Sequence, residues 1–399
     1  MSELHVYYNG HKHHSLLVGQ LATFKKKIYF EYDAAFLEAG LNLSPFLLPM
    51  KSGAQTPQAS NPWQGLFGVF NDSLPDGWGL LLMDRHLKSL GVDVQYLSPL
   101  DRLAYIGSRG MGALSYKPAK RMHTAGFDID LSELATAAIA IYEGQTSECL
   151  AEMAQAGGSP GGARPKVLVH TKGEYLISGD GQVPEGYTPW VVKFFSAQDA
   201  PETGRIEYAY SLMAKAAGIV MPETRLFEDK HGKAWFGIQR FDRVNGQCIH
   251  MHTLGGLVDA DFRMPSLDYT EVLKVTQALT RHAKDVEQAF RVMVFNVLAK
   301  NRDDHSKNFS FLMDEHGEWR LAPAYDLTYS QGINGEHTTS IAGEGRDPKT
   351  VHMLKVGETV GLKPSAMEAM IDDVSVALNR WDDWCDVAGI AQGKRNVIV

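Results

Sequence analysis

One run of eight residues constrains this chain more than any other: Asn301-Arg302-Asp303-Asp304-His305-Ser306-Lys307-Asn308. An Arg-Asp pair followed by Asn five residues after the Asp is the spacing of a phosphoryl-transfer loop, H-R-D-x-x-x-x-N, here with Asn301 in the first place. The spacing has a physical reason. One short loop must offer a carboxylate to an attacking hydroxyl and, one turn further on, an amide oxygen to a magnesium ion on the nucleotide. Asp303 supplies the first group and Asn308 the second. Asp304, a further carboxylate next in the chain, stands as a competing base.

At 399 residues the chain exceeds one ordinary core and implies two or three folding units. Its formal net charge of -8 argues against a broad basic face for nucleic acid, so contact with DNA is expected only through a partner. Cys149, Cys248 and Cys385 are widely separated and form no C-x-x-C pair, which fits a reducing cytoplasm rather than a disulfide framework. The N-terminus has no apolar signal core, and no apolar run approaches the roughly 18 residues of a membrane span. The expectation is a soluble cytoplasmic protein without a membrane partner.

Leu4, Val6 and Tyr8, then Leu16 to Val18 and Ile28, Phe30 and Tyr32, alternate as a small antiparallel sheet with an Asn9-Gly10 hairpin. Residues 50 to 62 read as a loop, and Asn71 to Asp76 as the capped entry into a helix through Trp78, Leu81, Met83 and Leu87. A second helix is expected over about 131 to 143, before glycine and proline break the pattern at 157 to 166. Strands follow at 167 to 170, 190 to 195, 223 to 227 and 234 to 239, with a helix over about 204 to 217. From about 268 the apolar spacing turns helical. The reading is an α+β chain of kinase order: a β-rich N-terminal lobe with a small antiparallel subdomain, then a helical C-terminal lobe. Its parts are residues 1–120, 121–260 (the rest of the N-lobe) and 261–399.

Four further parts of a phosphotransferase have candidates in that order. Gly157 to Gly162 lies directly before a strand, so the backbone N–H groups at Gly158, Ser159, Gly161, Gly162 and Ala163 can approach phosphate unobstructed. Lys193 ends an apolar strand, Trp190-Val191-Val192-Lys193, and must find an anionic partner if it is buried. Glu207 in the next helix is its expected partner, with Glu202 a weaker candidate. A hairpin through Phe309 to Met313 and Trp319 to Leu321 returns Asp326 beside the loop as a second acidic metal ligand. His305 braces the loop and, with Lys307, is placed among the nucleotide contacts. Arg240 to Arg243 reads as a structural ion-pair cluster beneath the site. His11, His13 and His14 read as a solvated turn, His250 and His252 as packing residues, and Trp190, Trp381 and Trp384 as core or lid aromatics.

The chain resembles the HipA family of bacterial serine/threonine-kinase toxins over nearly its full length. The residues that carry this are Asn71 to Gly79, Ile106-Gly107, Gly112-Ala113-Leu114, Ser159 to Lys166, Arg240 to Arg243, Asp303 to Phe309, and Pro323 to Leu327. The resemblance implies ATP and Mg²⁺ as cofactors, Asp303 as catalytic aspartate, Asn308 and Asp326 as Mg²⁺ ligands, and Lys193 as the ATP-phosphate lysine. It also implies autophosphorylation at Ser159. Such a phosphate adds nearly two negative charges to a loop meant to hold ATP phosphates, and so expels it. The implied partners are a HipB-like helix-turn-helix antitoxin and a protein substrate such as an aminoacyl-tRNA synthetase. The chain departs from the family pattern at Arg164, where Gln is usual, and at Asp304, where a small residue is usual. A small-molecule phosphotransferase, a catalytically silent antitoxin-binding co-repressor and, more remotely, an adenylyl transferase remain alternatives.

Overall fold

Alternation of apolar residues builds the first sheet. The computed structural model describes residues 3–10, 15–120, 130–145, 150–156, 161–179, 182–195 and 199–395. Strands β1 (Glu3–Tyr8), β2 (Leu16–Phe24), β3 (Lys27–Tyr32) and β4 (Leu114–Lys117) pair antiparallel in the order β3-β2-β1-β4. Leu4, Val6 and Tyr8 of β1 are buried, as the period of two requires. The expected Asn9-Gly10 turn is not a two-residue hairpin, because Tyr8 pairs with Leu16 and residues 9 to 15 make the connection. The Asn9 amide instead donates to Ala113 O at 3.1 Å and Ser115 Oγ at 2.9 Å, which fixes β4.

The second sheet comprises β5 (Lys166–Lys172), β6 (Tyr175–Ser178), β7 (Thr188–Lys193), β8 (Thr224–Glu228) and β9 (Ala234–Gln239), all antiparallel, in the order β6-β5-β7-β9-β8. Both of its faces are covered. Trp190 and Val192 pack against Trp78 and Leu82 of the helix Gly77–Ser89, together with Leu134, Ala138 and Ile141 of the helix Leu131–Tyr142. Val191 points the other way, into a cluster with Leu168, Phe236, Ile238 and Tyr325. Lys193, two residues along, shares that second face.

Helices Tyr269–Thr280, Ala283–Leu298, Thr350–Glu358, Pro364–Leu378 and Trp381–Ala388 form the C-terminal part. The first begins at a capping box in which Asp268 and Glu271 satisfy each other's backbone N–H groups. One continuous core runs from Val6 and Phe30 of the first sheet to Phe290, Phe295 and Trp381 of these helices. The N-terminal sheet is therefore built into the body of the molecule. His250 and His252 lie buried in the strand His250–Thr253, where His252 Nδ1 bonds Asp72 Oδ2 at 2.6 Å. His11, His13, His14 and Cys149 fall outside the described residues. Among the described residues no helix is long and apolar enough to cross a membrane.

The Arg240–Arg243 cluster forms as expected and reaches further than expected. Asp242, fully buried, accepts from Arg240 Nε at 2.8 Å, from the guanidinium of Arg243 at 2.8 Å and from Gly112 N at 2.8 Å. Arg243 also donates to Gly110 O at 2.9 Å and Gly112 O at 2.8 Å. The cluster thus fastens the end of β9 to the loop before β4. Burial would push the Asp242 carboxyl up, but the two arginines hold it well below the usual carboxylate range. Its contribution to stability is therefore fully present above the ordinary value of 3.8 and is lost as the pH falls below it towards the folded-state value. Asp242→Ala leaves two buried guanidinium groups without their counter-charge and should cost about 3–5 kcal/mol at neutral pH, read by denaturant unfolding.

Candidate active site

Two neighbouring spaces lie beneath the second sheet. A cavity of about 130 Å³ is lined by Asp76, Lys166, Val191, Lys193, Lys307 and Asp326, among others. An open cleft of about 800 Å³ adjoins it, sharing Gly162, Lys166, Lys193, His305, Asn308 and Asp326 and adding Ala163, Glu207, Asp303 and the stretch Thr328 to Gln331.

Lys193 is the centre of the arrangement. Its Nζ pairs with Glu207 Oε1 from the helix Thr203–Ala216 and with Asp326 Oδ1. Burial alone would push the ammonium down, yet the two carboxylates hold it above its ordinary value. Burial likewise pushes Asp326 up, and Lys193 and Lys166 together hold it well below the carboxylate range. Glu207 is raised by burial in spite of Lys193. Glu202 lies apart from this cluster, 3.8 Å from Lys394. Lys166 stands directly opposite Lys193 in the β5–β7 register. Like charges so placed repel, and burial pushes the Lys166 ammonium below its usual value. Such a pair of lysines is best compensated by anions held between them.

The loop 301–308 leaves the helix Ala283–Leu298 and ends in a single turn of 3₁₀ helix, Ser306–Asn308, capped by His305, whose Nδ1 accepts from Lys307 N at 3.3 Å. Asp303 is exposed to the cleft. Enclosure by the cleft pushes its carboxyl above the ordinary value; His305 opposes this, and Asp326 and Asp304 add to it. A carboxylate so raised is a better proton acceptor. Asn308 Nδ2 donates to Asp303 O at 2.6 Å, which braces the loop and leaves the amide oxygen for another partner. Asp326 adopts a left-handed backbone with φ 54°, uncommon for a residue with a side chain and frequent at functional sites. Its second carboxylate oxygen lies outside the Lys193 pair.

These two oxygens test the fit of a metal. Among the described residues no group of three or more His, Cys, Asp or Glu is arranged to hold an ion. Mg²⁺ does not require one, since it is usually held by one or two protein oxygens together with water and nucleotide phosphates. Asn308 and Asp326 line both spaces and provide that number of hard oxygens.

Asp304 cannot compete as a base. It is fully buried and accepts from Tyr269 OH at 2.9 Å, His337 Nδ1 at 2.8 Å and the backbone N of Thr338 at 2.9 Å and Thr339 at 3.2 Å. It ties the loop to the 337–339 stretch that borders the cleft. Asp76 and Lys166 were missed from sequence. Asp76 stands at the N-cap position of its helix but makes no capping bond; its carboxylate reaches Gly162 N at 2.6 Å and Lys307 Nζ at 2.6 Å. Lys166 Nζ donates to Gly161 O. The signal for Lys166 was a lysine opening an apolar strand just after the glycines. Gly158 and Ser159 lie outside the described residues. The different duties of the paired aspartates predict different losses. Asp304→Ala should destabilise the protein by on the order of 3 kcal/mol, whereas Asp303→Ala should change unfolding by less than about 0.5 kcal/mol.

Residues 158–381 match the family described as HipA-like C-terminal domain, and residues 4–117 match the HipA N-terminal domain. Two curated relatives are each named "Putative kinase". One, Y4dM of Sinorhizobium fredii, is 30% identical over 38% of this chain and 40% of its own length. The other, from Haemophilus influenzae, is 27% identical over 43% of this chain and 53% of its own length. The matched segments thus span about half or less of these relatives. HipA of Shewanella oneidensis MR-1, solved in a toxin–antitoxin complex with HipB and operator DNA, superposes with a TM-score of 0.71 at 17% identity, covering 99% of this chain and 94% of that one. This likeness speaks for the fold. With both of its domains matched in order, the chain belongs to the HipA family.

Proposed function

We propose that the protein is an ATP-dependent serine/threonine protein kinase, the toxin of a HipBA-like toxin–antitoxin module. The observation that carries this is Lys193, paired with Glu207 and Asp326 in a cavity that also holds Asn308, while Asp303 opens onto the adjoining cleft. In this reading the nucleotide lies beneath the second sheet, with its phosphates against Lys193 and Lys166 and under Gly161 to Ala163. Bound Mg²⁺ would supply charge neutralisation of the phosphates from Asn308 and Asp326. Asp303 orients a serine or threonine hydroxyl of the acceptor. Its proton passes to Asp303 as the oxygen bonds the γ-phosphorus and the bond to the bridging oxygen breaks, leaving ADP. Asp304 holds the loop that carries Asp303.

The open cleft favours a macromolecular acceptor over a small molecule. A translation component such as an aminoacyl-tRNA synthetase is the proposed substrate, and Ser159 the proposed autophosphorylation site. The HipB and operator DNA bound to the Shewanella oneidensis protein support a helix-turn-helix antitoxin as partner, through which this acidic chain would meet DNA. Incubation with γ-labelled ATP and Mg²⁺, followed by mass spectrometry, tests the reading. The wild type should carry label on serine, and Asp303→Asn should lower the rate by about 10²–10⁴-fold. Full phosphorylation by Asp303→Asn would sink it.

A further inference from the structure

One buried carboxylate in the cavity has no part in that mechanism. Asp76 is only 4% exposed, and both of its oxygens are engaged: Oδ1 accepts from Gly162 N at 2.6 Å and Oδ2 from Lys307 Nζ at 2.6 Å. The same residue is also held through its carbonyl, where Gly162 O accepts from Trp78 N at 3.0 Å. The two segments lie so close that a Cβ on Gly77 would sit 2.5 Å from Gly162 O, and one on Gly161 would sit 3.2 Å from the Asp76 oxygens. A glycine-loop N–H beside a lysine ammonium is the donor set that proteins offer to phosphate. Lys166, bonded to Gly161 O, adds a second ammonium beside the same loop. An aspartate from the N-terminal part of the chain fills this set with an internal anion.

Resting on the reading of the cavity as a nucleotide site, we propose that Asp76 stands in for a phosphate group and sets how tightly the site holds a polyphosphate. Incoming phosphates must take the Gly162 N–H and the Lys307 ammonium from Asp76, and they do so against its charge at close range. Asn at this position keeps an oxygen for the Gly162 N–H while removing the charge and freeing Lys307. The contact therefore works as a brake on nucleotide binding, and the brake is electrostatic.

The test is calorimetric titration of the full chain, wild type and Asp76→Asn, with tripolyphosphate and separately with adenosine. Tripolyphosphate should bind the variant about tenfold more tightly or better, while adenosine affinity stays within about twofold. Equal or weaker tripolyphosphate binding by the variant, with adenosine binding intact, overturns the proposal. Should Asp76→Asn fail to fold, hydrogen exchange on the wild type decides. Tripolyphosphate should speed exchange at the Trp78 amide as the grip on the Gly162 peptide loosens, and unchanged or slower exchange overturns it. Binding of neither tripolyphosphate nor ATP by the wild type would overturn the nucleotide reading as well. That result is distinct from a wild type that binds and a variant that matches it.

Discussion

An ammonium cannot stay buried without anions, and the site is organised around that fact at Lys193. The strand β7 carries this lysine to the end of an apolar sheet, where neither water nor the neighbouring Lys166 can compensate it. Glu207 and Asp326 do so, one from the helix after β7 and one from the segment after the hairpin Ser310–Leu321. The strand and the helix after it, 14 residues apart at these positions, are thereby fixed against a segment 133 residues beyond the lysine. Asn308 lines the cavity with Lys193 and Asp326, and Asp303 lines the adjoining cleft with Glu207. Lys193 held by two carboxylates, with Lys166 opposite it and bonded to Gly161 O, forms a pocket whose charge pattern suits a polyphosphate carried with a divalent cation.

Much of this was readable from residue order because the chemistry is local in sequence. The loop 301–308, the strand lysine, the helix glutamate and the returning aspartate each sit in a short segment with its own periodicity. The strand Ala234–Gln239 and the start of the helix Leu131–Tyr142 also coincide with the alternation and apolar spacing that announced them. What was not readable depends on contacts across long separations. Asp76 looked like a helix cap because caps are judged from neighbours, whereas its partners lie 86 and 231 residues away. Asp304 looked like a second base because adjacency in sequence says nothing of direction; consecutive residues in an extended loop point to opposite sides, and this one points into the core. Asn9-Gly10 carried the commonest hairpin signal, but Tyr8 pairs with Leu16 and the Asn9 side chain bonds Ala113 O and Ser115 Oγ, partners more than a hundred residues away that no local signal announces.

The N-terminal sheet belongs to the body of the molecule in the same physical sense. Its core runs on into the C-terminal helices, Asp242 with its two arginines fastens the loop before β4, and Asp72 receives three donors from His252 and Thr253. The segment from Asn71 to Gly79 therefore touches both the strand that pairs with the hairpin Ser310–Leu321 and the glycine loop. Those positions join the two halves, and their close approach leaves no room for a side chain at Gly77.

The most direct measurement is the affinity of the full chain for ATP with Mg²⁺ by calorimetry, wild type against Lys193→Met, with folding checked by unfolding in parallel. The account predicts a folded variant whose ATP affinity falls by about thirtyfold or more, since the ammonium that meets the phosphates is gone. A folded Lys193→Met that binds ATP as the wild type does would contradict the placement of the nucleotide, and with it the part assigned to Glu207 and Asp326 in holding the lysine for the phosphates.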